Sequence, residues 1–181
     1  MKNVMVDLET MATGYRAAIV SIGAVVFDVV DGSLGDRFYE TINLSTCQSA
    51  GQSIDASTVL WWLVQDRGAQ SELIHGKMGL EVALREFARW LPNKSCVWGN
   101  GSNFDNRILR EAYELIGRTC PWHYRDDRDM RTLFAFAKTF GVKSEILFTG
   151  MKHNALDDAE HQAEIVCDIY QQLGGLILGG G

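Results

Sequence analysis

The stretch Val4-Met5-Val6-Asp7-Leu8-Glu9-Thr10 restricts the fold of this chain more than any other. Successive side chains of a strand point to opposite faces. Residues 3 to 8 therefore read as a strand buried on both faces up to its acidic end. Such a strand belongs inside a sheet that is covered on both sides. The same period puts Asp7 and Glu9 on one face, with Val6 and Leu8 on the other. Two acids so placed repel each other. A divalent cation between them relieves the repulsion, since hard cations prefer oxygen ligands. The plainer alternative is a polar strand end.

The rest of the chain supplies partners for that strand. Ile19 to Val30 is rich in β-branched residues and reads as a second strand, closed by the turn pair Asp31-Gly32. Phe38 to Leu44 reads as a third, antiparallel strand. Ser45 to Ser53 and Gln65 to Gly79 are polar and are expected to be loops, the second of them mobile. Between them, Asp55 or Ser57 caps a helix that carries Trp61 and Trp62. Adjacent residues point about 100° apart on a helix, so the two rings do not share one core face. Packing of both on neighbouring elements is the expectation, and a stacking surface for a base is the alternative.

Leu80, Ala83, Leu84, Phe87, Ala88 and Leu91 form one helical stripe that Pro92 ends. Cys96 to Trp98 reads as a buried parallel strand, followed by a turn over 99–103 and a helix over 104–116. Tyr124 is placed on a short edge strand, and Asp129 caps a helix to Phe140. Val142 to Lys152 is a loop before a last helix from about Ala155 to Leu173, with fraying expected from Gly174. Three strands, then helices alternating with short strands, predict a mixed α/β sheet with helices on both faces.

The chain of 181 residues suggests one domain, over 1–175, with a glycine-rich, disordered tail over 176–181. Its formal net charge of -6 argues against a simple basic nucleic-acid glove. It does not exclude a nucleic-acid enzyme, because bound cations invert the local sign of an acidic site. The cysteines at 47, 96, 120 and 167 form no C-x-x-C pair and no zinc spacing with histidine. With no signal-peptide pattern and no apolar run of membrane length, a reduced, cytoplasmic compartment is expected.

Two further acids stand at places that matter. Asp105 follows the turn after the Cys96–Trp98 strand, at the start of a helix. Open α/β sheets bind ligands at the carboxyl ends of their strands, although an acid at a helix start also simply favours the dipole. On the last helix, Ala155, Ala159, Ala163, Val166 and Tyr170 form the buried stripe. Asp158 lies at its edge, about 100° from Ala159, and is better placed than Asp157 to point into a shared site.

Asp7-Leu8-Glu9-Thr10, Asn103-Phe104-Asp105 and His153 with Asp158 resemble, in order, the three motifs of the DEDDh exonucleases. That family includes bacterial proofreading subunits, ribonuclease T and oligoribonuclease. The Trp61-Trp62-Leu63 segment and the compact length look most like its branch of small bacterial, mycobacterial and phage exoribonuclease-like proteins. The first motif departs from the proofreading pattern by running on through Met11-Ala12-Thr13-Gly14.

The resemblance implies a ribonuclease H-like fold, with an antiparallel meander followed by parallel strands in a five-stranded sheet. It implies 3′–5′ removal of nucleotides from single-stranded nucleic acid with a free 3′ end, releasing 5′-monophosphates. Asp7, Glu9, Asp105 and Asp158 would hold two divalent cations, Mg²⁺ or Mn²⁺, which suit a carboxylate site better than zinc does. His153 would be the general base, a task suited to an imidazole. Leu8, Thr10, Met11 and Phe104 would line the terminal nucleotide. Relatives are commonly dimers, so a homodimer is an expectation, with Trp61-Trp62 available to its interface. The competing readings are a non-catalytic nucleic-acid-binding relative, a ribonuclease H-like endonuclease, and an α/β domain with scattered acids.

Overall fold

The computed structural model describes residues 2–74 and 76–179. Strands β1 (Lys2–Thr10), β2 (Ile19–Phe27) and β3 (Leu34–Thr41) form an antiparallel meander. Helices α1 (Leu44–Ser49), α2 (Ala56–Trp62), α3 (Arg67–Ile74) and α4 (Leu80–Trp90) follow. Strand β4 (Ser95–Gly99), helix α5 (Asp105–Leu115), strand β5 (Asp127–Asp129) and helices α6 (Met130–Lys138) and α7 (Ala155–Gly179) complete the chain. The sheet order is β3-β2-β1-β4-β5, with β4 parallel to β1 and β5 parallel to β4. This is the five-stranded mixed sheet, an antiparallel meander followed by parallel strands, that the sequence resemblance implies.

β1 is central, which is why it is apolar on both sides. Val4, Val6 and Leu8 pack with residues of α2, α4 and α5, among them Trp62, Phe87 and Leu109. Met5 faces the other layer, where Ala159, Ala163 and Val166 of α7 and Met130 of α6 cover the sheet. Small alanines let α7 lie close to the strands. Asp7 and Glu9 continue the Met5 face beyond that apolar layer, so the acids emerge beside the first turns of α7.

Several boundaries differ from the expectations. β2 stops at Phe27, not Val30, and β3 spans 34–41, not 38–44. Two short helices, α1 and α3, occupy segments expected as loops. Asn43 caps α1, its Oδ1 accepting from the Ser45 amide at 3.0 Å. Asp66 Oδ1 accepts from the Ala69 amide at 3.0 Å at the start of α3. Among the described side chains α1 buries Cys47 and α3 buries Ala69, so their polar composition concealed their attachment to the core. Tyr124 lies in a 3-10 turn over Tyr124–Asp126, and the edge strand comes directly after it. Tyr170, placed on the buried stripe, is 39% exposed. α7 runs on to Gly179, past Gly174 and into the tail segment; residues 180 and 181 lie outside the described residues. No helix among the described residues is long and apolar enough to cross a membrane.

Candidate active site

The carboxyl ends of β1 and β4 and the start of α7 meet at one place. Gly99 ends β4 and α5 begins at Asp105, whose Oδ1 accepts from the Leu8 amide at 3.3 Å. That bond ties the acid of α5 to the strand that bears Asp7 and Glu9. Asp105 is only 3% exposed. Burial pushes its carboxyl up to about 7, against the pull of the hydrogen bonds it accepts. Asp7 is raised well above its ordinary value, first by burial and then by the charges of Asp105 and Glu9. Asp158 is raised as well, again mainly by burial.

From the other side comes α7. Asn154 caps it, with Oδ1 accepting from the amides of Leu156 and Asp157 at 3.1 and 3.2 Å. The Asn154 Nδ2 donates to the Tyr39 hydroxyl of β3 at 3.1 Å, which anchors the cap to the sheet. Just before it, His153 holds a left-handed backbone with φ 63°. A non-glycine residue there costs of order 1–3 kcal/mol. Its own amide donates to Asp158 Oδ2 at 3.0 Å, which closes the strained turn. The His153 Nδ1 lies 3.9 Å from Glu9 Oε1.

Glu9, His153 and Asp158 each offer a ligand atom within 4.8 Å of the others. Asp7 and Asp105 join them, since the Asp7 carboxyl feels the charges of Asp105, Glu9 and Asp158. Asp157 is turned elsewhere: its Oδ2 accepts from the Met151 amide at 2.7 Å and fastens the preceding loop. The chemistry of the group fits divalent cations. Buried acids that repel one another, offering oxygen donors, are stabilised by a hard cation such as Mg²⁺ or Mn²⁺.

A cleft of about 400 Å³ opens beside the acids, lined by Leu8, Glu9, Thr10, Ala12, Thr13, Ser57, Thr58, Trp61 and Phe104. Leu8, Thr10 and Phe104, expected to line the terminal nucleotide, are among its lining residues. Met11 is not among the lining residues. It is 5% exposed and packs in the core, while the following Ala12 and Thr13 reach the cleft. The cause is the backbone: the Met11 amide donates to Ala18 and its carbonyl accepts from Asp55, which turns this residue inward. The tryptophans divide between core and cleft. Trp62 is 1% exposed and its indole N–H donates to the Thr10 carbonyl at 3.0 Å. Trp61 is 43% exposed, and its ring meets that of His153 edge-on at 4.9 Å.

Three features near the site had no clear mark in the sequence. Gln162 Nε2 donates to Asp7 Oδ1 at 2.7 Å across 155 residues of chain. Arg131 of α6 approaches the Gly101 turn and draws the Asp105 carboxyl downward. Arg16 and Arg107 both bond to buried Glu111, at 2.8 and 3.2 Å, and the Arg107 guanidinium lies 5.3 Å from the Tyr15 ring centroid.

The fold is shared with solved exonuclease structures, one of them described as a DEDDh family member. The nuclease domain of 3'hExo bound to rAMP, described as a DEDDh family member, is 13% identical with a TM-score of 0.64, over 94% of this chain and 92% of that one. The E. coli ExoI–ssDNA complex, in its zinc-bound form, is 14% identical with a TM-score of 0.69, over 98% of this chain and 42% of that one. Exonuclease X in complex with 5′ overhanging duplex DNA is 17% identical with a TM-score of 0.57, over 95% and 93%. A search of curated proteins gives no match. Residues 2–170 match the 3'-5' exoribonuclease Rv2179c-like domain, and the chain belongs to that family.

Proposed function

We propose that this protein is a two-metal-ion 3′–5′ exonuclease that shortens single-stranded nucleic acid from a free 3′ end and releases nucleoside 5′-monophosphates. One observation carries the reading: four carboxylates and an imidazole from separate parts of the chain converge beside an open cleft. RNA is the favoured substrate because the family is described as exoribonucleases.

Asp7, Glu9, Asp105 and Asp158 would hold the cations. When bound, these supply charge neutralisation at the scissile phosphate and lower the pKa of a bound water. His153 accepts the proton of the attacking water as general base. Trp61, edge-on to His153, limits where that imidazole can turn. Leu8, Thr10 and Phe104, with Ala12 and Thr13, shape the cleft for the terminal nucleotide. A terminus enters such a cleft more readily than the middle of a chain, which favours exonuclease over endonuclease action.

The test is digestion of matched 5′-labelled RNA and DNA single strands with Mn²⁺, alongside a closed circular single strand. A ladder shortening from the 3′ end, absent in EDTA, is expected, with the circle intact. Cleavage of the circle would identify an endonuclease. Binding without any cleavage would identify a non-catalytic relative.

A further inference from the structure

Gln162 has no place among the three acidic motifs, yet it makes the one side-chain hydrogen bond to the Asp7 carboxylate among the described residues. It stands one helical turn after Asp158 on α7, and residues four apart share a helix face. α7 thus presents a carboxylate and an amide to the same site from successive turns. Gln162 is 7% exposed, and its Nε2 donates to Asp7 Oδ1 at 2.7 Å. Its Oε1 is buried without a hydrogen-bond partner. With Asp7 ionised, as cation binding requires, turning the amide over would face that oxygen to a carboxylate and lose the donor. A long polar side chain buried with half of its capacity unused is costly to keep. Its one bond is to a central acid of the site.

The residue type suits that bond. A lysine or arginine at 162 would also hold Asp7, but its positive charge would compete with cations for the same acids. A leucine would leave the Asp7 carboxylate free to rotate away from its neighbours. A neutral donor fixes one carboxylate oxygen, leaves the other available, and adds no charge. Partners of this kind orient metal ligands, and their loss typically costs about 10–100-fold in metal affinity.

We infer that Gln162 is a positioning residue that holds Asp7 in the orientation in which it accepts divalent cations. The inference rests on the metal-dependent nuclease reading above and adds to it a determinant of cation affinity. It also bears on cation choice. Mg²⁺ demands near-ideal octahedral geometry, so loosening Asp7 weakens Mg²⁺ more than Mn²⁺.

The experiment compares the parent with Gln162→Met, of similar length without the donor, and Gln162→Asn, which withdraws the amide by one methylene. Mn²⁺ binding is read by electron paramagnetic resonance, Mg²⁺ by competition, and folding by melting in EDTA. Both variants should melt within a few degrees of the parent and bind Mn²⁺ about 10–100-fold more weakly. The loss for Mg²⁺ should be larger, and KM for the oligonucleotide at saturating Mn²⁺ should stay unchanged. Parent-like Mn²⁺ affinity in whichever variant folds, or a lowered melting temperature with unchanged affinity, would reduce Gln162 to a packing residue and overturn the inference. A parent that binds no divalent cation would overturn the metal site itself, a different result from a parent that binds and variants that bind equally.

Discussion

Gly23 and Ala155 are in backbone contact: a Cβ placed on Gly23 would lie 2.1 Å from the Ala155 carbonyl carbon. Gly23 pairs with Asp7 in the sheet register, so the first turn of α7 is seated on the strand beside the acids. This contact sets how far His153 and Asp158 stand from Asp7 and Glu9. A methyl group here meets backbone, which cannot rotate away. Gly23→Ala should cost about 3 kcal/mol or more, the upper part of the overpacking range. At roughly 2–4 °C per kcal/mol for a chain of this size, its melting point should fall by at least 6 °C or so. Nuclease activity should be lost with it. Denaturation and turnover measured side by side check both, and a variant as stable and active as the parent would mean that α7 shifts without cost.

The sequence exposed the acids but not what seats them. Asp7 and Glu9 were legible from the strand period, and Asp158 rather than Asp157 from the helical angle, since both follow from local geometry. Gln162 was not, because its bond to Asp7 spans most of the chain. A glycine inside a strand signals a close approach, but nothing at position 23 says which backbone approaches. Met11 misled for the opposite reason: it follows the first motif directly, yet hydrogen bonds to Ala18 and Asp55 roll it into the core. α1 and α3 were hidden because single buried residues, Cys47 and Ala69, leave no periodic stripe.

Protonation links metal to stability. Asp105 titrates at about 7 in the folded protein and near 3.8 when exposed, and Asp7 is shifted in the same direction. Between those values the folded state holds protons that the unfolded state has lost. Without metal, stability should therefore fall as pH rises from about 4 to 7 and stay low above it. Metal binding requires the ionised acids, so cation affinity should rise over the same window. Melting in EDTA at pH 5 and pH 8, with and without Mn²⁺, tests this. The metal-free protein should melt lower at pH 8, and Mn²⁺ should restore it there. Asp7→Asn, which removes one of the repelling charges, should melt higher than the parent in EDTA at pH 8 and be inactive. A metal-free protein more stable at pH 8 than at pH 5 would contradict the raised carboxyls.

Asp157 and Asp158 are adjacent but differently employed. Asp158 faces Glu9 and His153, whereas Asp157 holds the Met151 amide. Asp158→Asn should abolish turnover. Asp157→Asn keeps an oxygen that can accept the same amide hydrogen bond, so it should retain most of the activity and nearly all of the stability. Steady-state rates of the two variants decide it, and an inactive Asp157→Asn would reverse the assignment.

The last prediction separates chemistry from architecture at His153. Its backbone and its ring make contacts of different kinds. Its backbone amide holds Asp158, and any residue but proline at 153 carries that donor. Its imidazole, against Trp61 and with Nδ1 3.9 Å from Glu9, is the part that would take a proton. His153→Ala deletes only the second. The variant should therefore bind Mn²⁺ and single-stranded oligonucleotide as the parent does, and turn over about 10²–10⁴-fold more slowly, the range of a general-base contribution. If the ring acted as architecture, its removal would loosen Trp61, lower the melting point and weaken Mn²⁺ binding together with the rate. Single-turnover cleavage of a short 3′-hydroxyl oligonucleotide at saturating Mn²⁺ separates the two. A rate within about threefold of the parent, well short of the general-base range, would remove His153 from the mechanism.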